Sequence, residues 1–177
     1  KKYLKIETLS GIRTLELQVV NGKVKNVTVD MGKAIAEDKL TLMVDGEKII
    51  CTPVSVGNPH AVIFVEDIET APVTTLGPKL EHHEVFPDGV NVEFVQVLGK
   101  SDLRMRVWER GSGVTMACGT GACATVMAAI SERYCNYDDT ISVVLDGGKL
   151  KIQIASDNSV QMMGPSEIIY EGETELC

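Results

Sequence analysis

Residues Ala122-Cys123-Ala124-Thr125-Val126-Met127-Ala128-Ala129-Ile130 are small or apolar at every position, so no polar side appears at helical spacing. A helix of this kind has to be enclosed by other elements, because a surface helix keeps one polar face. Ala and Met favour helix, and Ser131-Glu132-Arg133 restores polarity where the segment emerges. The remainder of the chain must therefore build a wall around this one helix.

The material for that wall is a series of short β-like runs. Leu4 to Thr8, Thr14 to Val20 and Val24 to Val29 alternate or carry branched residues, with Gly11 and the hairpin dipeptide Asn21-Gly22 between them. Val92 to Leu98 and Leu103 to Trp108 form a second pair about Gly99-Lys100-Ser101-Asp102. Ile141 to Leu145 and Leu150 to Ile154 form a third about Asp146-Gly147-Gly148. One other helix is expected, short, from Leu76 to Glu84, with Pro78 in its first turn. Hairpins wrapped about one apolar helix give an α+β fold, a curved and mostly antiparallel sheet around a central helix.

Immediately before the apolar helix lies Cys118-Gly119-Thr120-Gly121. A thiol at a helix N-terminus feels the positive end of the dipole, which favours thiolate and lowers its pKa. The backbone N–H groups of Gly119, Thr120 and Gly121 would face outward, where a carboxylate can bind. An acid–base thiol beside an anion cradle suggests proton chemistry next to a carboxylate. The plainer reading is a small buried cysteine beside a glycine turn.

The wider stretch Glu109-Arg110-Gly111-Ser112-Gly113-Val114-Thr115-Met116-Ala117-Cys118-Gly119-Thr120-Gly121 resembles the signature around the second catalytic cysteine of the diaminopimelate epimerase family. Gly57-Asn58-Pro59-His60, Gly89-Val90-Asn91-Val92 and Met163-Gly164-Pro165 resemble further motifs of that family, in the same order. The resemblance implies a fold of two similar lobes, each a curved sheet around a helix, with the tail returning to the first lobe. It also implies cofactor-independent epimerisation of LL- to meso-diaminopimelate by two cysteines, one on each face of the substrate carbon. Two departures stand out. Val114 occupies a place where the family commonly has glutamate, and the Cys-Gly-Asn-Gly motif of the first cysteine is absent. The expectation is a fragment in which residues 1–18 are remnant strands of the N-terminal lobe. Residues 19–163 would be the C-terminal lobe and residues 164–177 the returning tail.

Carried over residue by residue, the resemblance makes Cys118 one of the proton carriers, with His60 and Glu109 tuning the cysteine pair. Arg110 would grip a carboxylate through its planar fork and Glu109 an ammonium group. Asn58 and Asn91 would bind the second amino-acid end of the substrate, and Gly119 and Thr120 the carboxylate on which charge grows. Each has a plainer role open to it: Glu109 and Arg110 as a solvated ion pair, Asn58 and Asn91 as turn residues, His60 as a hydrogen-bonded structural histidine. His82 and His83 are assigned to surface or packing. A related racemase, such as one acting on proline, and a non-catalytic binding lobe of the same fold are the alternatives.

Composition narrows the partners. A net charge of −8 argues against nucleic acid, whose binding depends on Lys and Arg contacts to phosphate. No stretch approaches the roughly 20 apolar residues of a membrane helix. The odd count of 5 cysteines, irregularly spaced and without a Cys-x-x-Cys pair, speaks against disulfides and metal, and for reduced thiols in the cytoplasm. The partner expected is a small-molecule substrate, without cofactor, and a homodimer is one possible assembly among others, since the sequence does not give the oligomeric state.

Overall fold

The computed structural model describes residues 2–8 and 11–173. The first three strands are β1 (Tyr3–Thr8), β2 (Gly11–Val20) and β3 (Lys23–Lys33). There follow β4 (Ile35–Ala36), β5 (Leu40–Val44), β6 (Glu47–Ser55), β7 (Pro59–Phe64) and the helix α1 (Val73–Glu81). Next come β8 (Asn91–Gly99), β9 (Asp102–Glu109), β10 (Gly113–Thr115) and the helix α2 (Gly119–Ser131). The strands β11 (Thr140–Leu145), β12 (Gly148–Ile154) and β13 (Ser159–Pro165) complete the order.

The strands form one sheet in the order β1-β2-β3-β13-β12-β11-β9-β8-β7-β6-β4, with β10 paired to β9 and β5 to β6. Only the β7–β8 and β9–β11 pairings are parallel. A parallel pair needs a crossover, and the two crossovers carry the two helices: α1 joins β7 to β8, and α2 lies between β9 and β11. The α+β expectation holds, with the sheet curved around α2.

Pleating sends alternate residues of each strand to opposite faces. On β8, Val92 and Phe94 join the core that includes Val73 and Leu80 of α1, while Val95 joins the core around α2. On β7, Ala61 and Ile63 face α1's core and Val62 faces α2's. Ala122 to Ile130 are all buried, against Leu103, Met105, Ile141, Val143, Ile152 and Ile154 among others. Each fully buried Val, Leu, Ile or Phe side chain contributes about 1.5–3 kcal/mol, so α2 is held by its surroundings. It ends where Arg133 adopts a left-handed φ of 65° and Tyr134 N–H returns to the Ala129 carbonyl at 2.8 Å.

The turn at Asn21-Gly22 has φ of 52° and 74°, the positive pair that a two-residue hairpin requires. The short helix begins and ends earlier than expected. It spans Val73–Glu81, so Pro78 lies in its interior and not in the first turn. Strands β2 and β13 run continuously through positions 18–19 and 163–164, and β13 pairs with β3 from Ser159 to Pro165. No residue of β1, β2 or β3 is fully buried. Among the described residues no helix is long and apolar enough to cross a membrane.

Candidate active site

Parallel pairing brings the starts of β7 and β8 to the same end of the sheet, with His60 opposite Asn91. Antiparallel β9 finishes at that end, with Trp108 opposite Val92, and the N-terminus of α2 meets it from one face. The topology thus collects Asn58, His60, Asn91, Glu109, Arg110 and Cys118 from four separated stretches of chain.

Cys118 is the N-cap of α2, in extended conformation, and its Sγ accepts the Gly121 N–H at 3.3 Å. Of the three N–H groups expected to face outward, Gly121's is therefore taken by the thiol. Those of Gly119 and Thr120 remain at the open end of the helix. The Thr120 hydroxyl lies 3.6 Å from Sγ and accepts from Asn58 Nδ2 at 3.3 Å. Asn58 Oδ1 in turn faces His60 Nε2 at 3.1 Å, and His60 Nδ1 meets Glu93 Oε1 at 2.7 Å. Thiol, hydroxyl, amide, imidazole and carboxylate form one connected chain.

The expected low pKa of Cys118 is not what this environment produces. Burial comes first and the neighbouring Glu93 second, with Glu109 adding to them; the bonds from Thr120 and Gly121 oppose, and the thiol is pushed up to about 11. Desolvation disfavours the charged form wherever the thiol sits in an apolar surround. Cys51 and Cys135, also buried, are pushed up to about 11, and Cys123 inside α2 to about 12. These four are unpaired thiols, and Cys177 lies outside the described residues.

Asn91 is buried and its amide is committed to the backbone. Nδ2 donates to the Pro59 carbonyl at 3.0 Å, and Oδ1 accepts the Arg110 N–H at 3.0 Å. It fastens β7 to the end of β9. Glu109 accepts the Thr115 hydroxyl through Oε1, across the β9–β10 pair. Arg110 is exposed and donates Nη1 to the Asp88 carbonyl at 2.9 Å. The adjacent Glu109 and Arg110 do not pair with each other, and four of the five guanidinium donors stay available to a ligand. His82 is exposed, with Nε2 4.0 Å from Glu81 Oε2, and His83 Nδ1 accepts the Val85 N–H at 3.3 Å.

Two acidic residues absent from the sequence reading belong here. Glu93, wholly buried, is the one acidic or basic residue in β8, and its place between Val92 and Phe94 is the signal for it. Glu81, at the last turn of α1, accepts Trp108 Nε1 at 2.7 Å and the Gly111 N–H at 2.8 Å. A cavity of about 330 Å³ opens beside the loop, lined by Asn58, Pro59, His60, Val85 and Phe86 among others. A larger one of about 640 Å³ lies between β2, β3, β12 and β13, away from Cys118. Cys118 lines neither, but Asn58 and His60 of the smaller are linked to its sulfur through Thr120.

Known proteins resemble this chain in fold and in sequence. The solved structure of a probable proline racemase from Agrobacterium radiobacter matches with a TM-score of 0.72 at 13% identity, covering 96% of this chain and 61% of its own. A phenazine biosynthesis protein of the PhzF family from Enterococcus faecalis matches with a TM-score of 0.71 at 18% identity, covering 99% and 66%. At such identities they establish the fold. The diaminopimelate epimerase of Bacillus cytotoxicus is 48% identical over 96% of this chain and 64% of its own length. That of Bacillus mycoides is 47% identical over 98% and 65%. The chain thus spans somewhat under two thirds of these relatives. The family profile for diaminopimelate epimerase matches residues 52–169, from within β6 to beyond β13 and across every residue of the site. On that match, this chain belongs to the diaminopimelate epimerase family.

Proposed function

We propose that this chain supplies one half of the active site of a cofactor-independent epimerase that interconverts LL- and meso-diaminopimelate, with Cys118 as one of its two proton carriers. The observation that supports this most directly is the Cys118 thiol capping α2 beside the N–H groups of Gly119 and Thr120. Inversion requires removal of the α-proton on one face and delivery of another to the opposite face. As the C–H bond breaks, charge moves onto the carboxylate oxygens. N–H groups aimed at those oxygens then stabilise the planar intermediate more than the ground state.

A thiol pushed up to about 11 is protonated at neutral pH, which suits Cys118 to the role of acid. The carbanion takes the Sγ proton, and the sulfur keeps the electron pair as thiolate. In this reading Arg110 holds a substrate carboxylate, and Asn58 and Thr120 hold polar groups near Sγ. No step calls on a cofactor. The opposing carrier is a second cysteine contributed by sequence outside this stretch.

The test uses the full-length protein. Cys118→Ala should reduce LL/meso interconversion in D₂O to background, while Cys123→Ala leaves turnover largely intact. Near-normal inversion by Cys118→Ala would sink the assignment, and turnover of proline in place of diaminopimelate would redirect it to a racemase.

A further inference from the structure

Glu93 is buried on the α2 side of β8, beside His60 on β7, and neither side chain has any solvent exposure. Its Oε1 meets His60 Nδ1 at 2.7 Å, while Oε2 has no hydrogen-bond partner. Among the described residues it is the single buried side-chain oxygen or nitrogen so left. Buried polar groups are as a rule bonded, so Glu93 keeps its place in this core against a cost.

The oxygen that His60 holds, Oε1, is also the one that comes against Gly121. A Cβ on that glycine would stand 2.7 Å from Glu93 Oε1 and 3.1 Å from Cys118 Sγ, so carboxylate and thiol close on the same bare Cα from two directions. Only glycine admits this approach. With Asn58 Nδ2 donating to Thr120, Asn58 Oδ1 is an acceptor facing His60 Nε2, so that nitrogen carries a hydrogen. The other ring nitrogen meets Glu93 Oε1, so the carboxylate lies between the imidazole and Gly121. The charged or titratable groups that face Cys118 are Glu93 from β8, Glu109 from β9 and Cys123 from its own helix; no cation is among them. His60 from β7 and Cys118 from α2 are those that face Glu93.

We propose that Glu93 is a positioning residue that sets the protonation of Cys118: anchored by His60 and brought against Gly121, its carboxylate holds the Cys118 sulfur in the thiol form. The inference rests on the reading of Cys118 as a proton carrier and concerns the form in which that carrier rests. In one direction of the interconversion Cys118 gives its proton to the substrate carbon, and in the reverse direction the same sulfur takes it back as thiolate. Burial and Glu93 act on the thiol in the same sense, ahead of the hydrogen bonds from Thr120 and Gly121 that oppose them.

Iodoacetamide labelling of the native protein from pH 6 to 10, followed at each cysteine by mass spectrometry, tests this without reference to turnover. Glu93→Gln keeps the shape and removes the charge. It should raise Cys118 labelling at pH 7.5 by about tenfold or more, the effect of one pKa unit, and lower the midpoint of its pH profile. Cys51, Cys123 and Cys135 should stay protected, which reports an intact core. Glu93→Met should give the same selective rise, and Glu93→Asp should stay close to wild type. An unchanged Cys118 profile in Glu93→Gln or in Glu93→Met overturns the proposal, as does a wild-type midpoint at or below that of a free thiol, about 8.5. If Glu93→Gln labels all four thiols together it has unfolded, and Glu93→Met and the wild-type midpoint decide. The labelling result and the epimerase reading fail separately: a selective rise with undiminished epimerisation by Cys118→Ala would keep the pairing and remove the function.

Discussion

The indole N–H of Trp108 donates to Glu81 Oε2 at 2.7 Å, tying the end of β9 to the last turn of α1. Glu81 holds the Gly111 N–H with its other oxygen, so one side chain on one face of the sheet fixes the turn that presents Arg110. Asn91 takes the Arg110 N–H from the strand beside it. The segment carrying Glu109 and Arg110 is therefore held by bonds to its backbone and to its tryptophan.

Replacing Glu81 by Gln should cost about 1–3 kcal/mol at neutral pH, because the amide offers one acceptor where the carboxylate offers two. The effect should depend on pH. The Trp108 donor first, then the Gly111 N–H, His82 and Arg110, hold the Glu81 carboxyl below its ordinary range against the opposing effect of burial. A depressed carboxylate contributes stability that is full above the unfolded value, about 4.3, and is lost as pH falls through the folded one. Urea titrations should show the gap between wild type and Glu81→Gln at pH 7 narrowing below about pH 4. A gap that does not change with pH contradicts the assignment.

Gly77 packs directly beneath the same tryptophan. A Cβ there would stand 2.6 Å from Trp108 Cβ and 2.7 Å from its Cγ, atoms too close to the β9 backbone to swing aside. Gly77→Ala gains at most about 1 kcal/mol of helix propensity, against about 1–3 kcal/mol for overpacking. Tm should fall, and the emission of Trp108, the chain's single tryptophan, should shift as the indole is displaced. An unchanged or higher Tm would mean that α1 moves away at no cost.

Local chemistry made much of this fold readable. Asn21-Gly22 announces its hairpin, and α2 is apolar on all sides because the sheet encloses it. The same turn chemistry at Asp45-Gly46, with φ of 52° and 85°, joins β5 to β6, but Pro53 within β6 speaks against a strand when seen alone. Long-range pairing is what the sequence conceals. His60 and Glu93 are 33 residues apart and meet because β7 and β8 are parallel across α1, a register that no local pattern encodes. The Cys118 environment was misjudged for a related reason. The helix terminus is visible in sequence, whereas the burial and the Glu93 carboxylate that outweigh it appear only once the sheet is assembled.

Cys123 offers an internal reference for those thiol effects. It is fully buried on α2 and pushed up to about 12, chiefly by burial. In the native protein it should resist iodoacetamide at pH 8.5 while labelling readily in urea. Cys123→Ala should cost about 1 kcal/mol, the scale of one buried group lost from a core that partly collapses. Fast native labelling of Cys123 would show that α2 opens more easily than its enclosure implies.

Thr120→Val should move Cys118 in the direction opposite to Glu93→Gln. The Thr120 hydroxyl lies 3.6 Å from Sγ, and its bond favours the thiolate, partly offsetting burial and Glu93. Valine keeps the branched shape and removes that donor, and it leaves Asn58 Nδ2 without the partner it has at 3.3 Å. Loss of one hydrogen bond of about 1 kcal/mol corresponds to roughly a fivefold fall in thiolate population. Cys118 labelling at pH 8.5 should slow by about that factor, with Cys123 still protected as evidence that the fold is intact. Thr120→Ser retains the hydroxyl and should restore the wild-type rate. A Cys118 that labels as fast in Thr120→Val as in wild type would mean that the hydroxyl serves Asn58 alone, and that the link from His60 stops short of the sulfur.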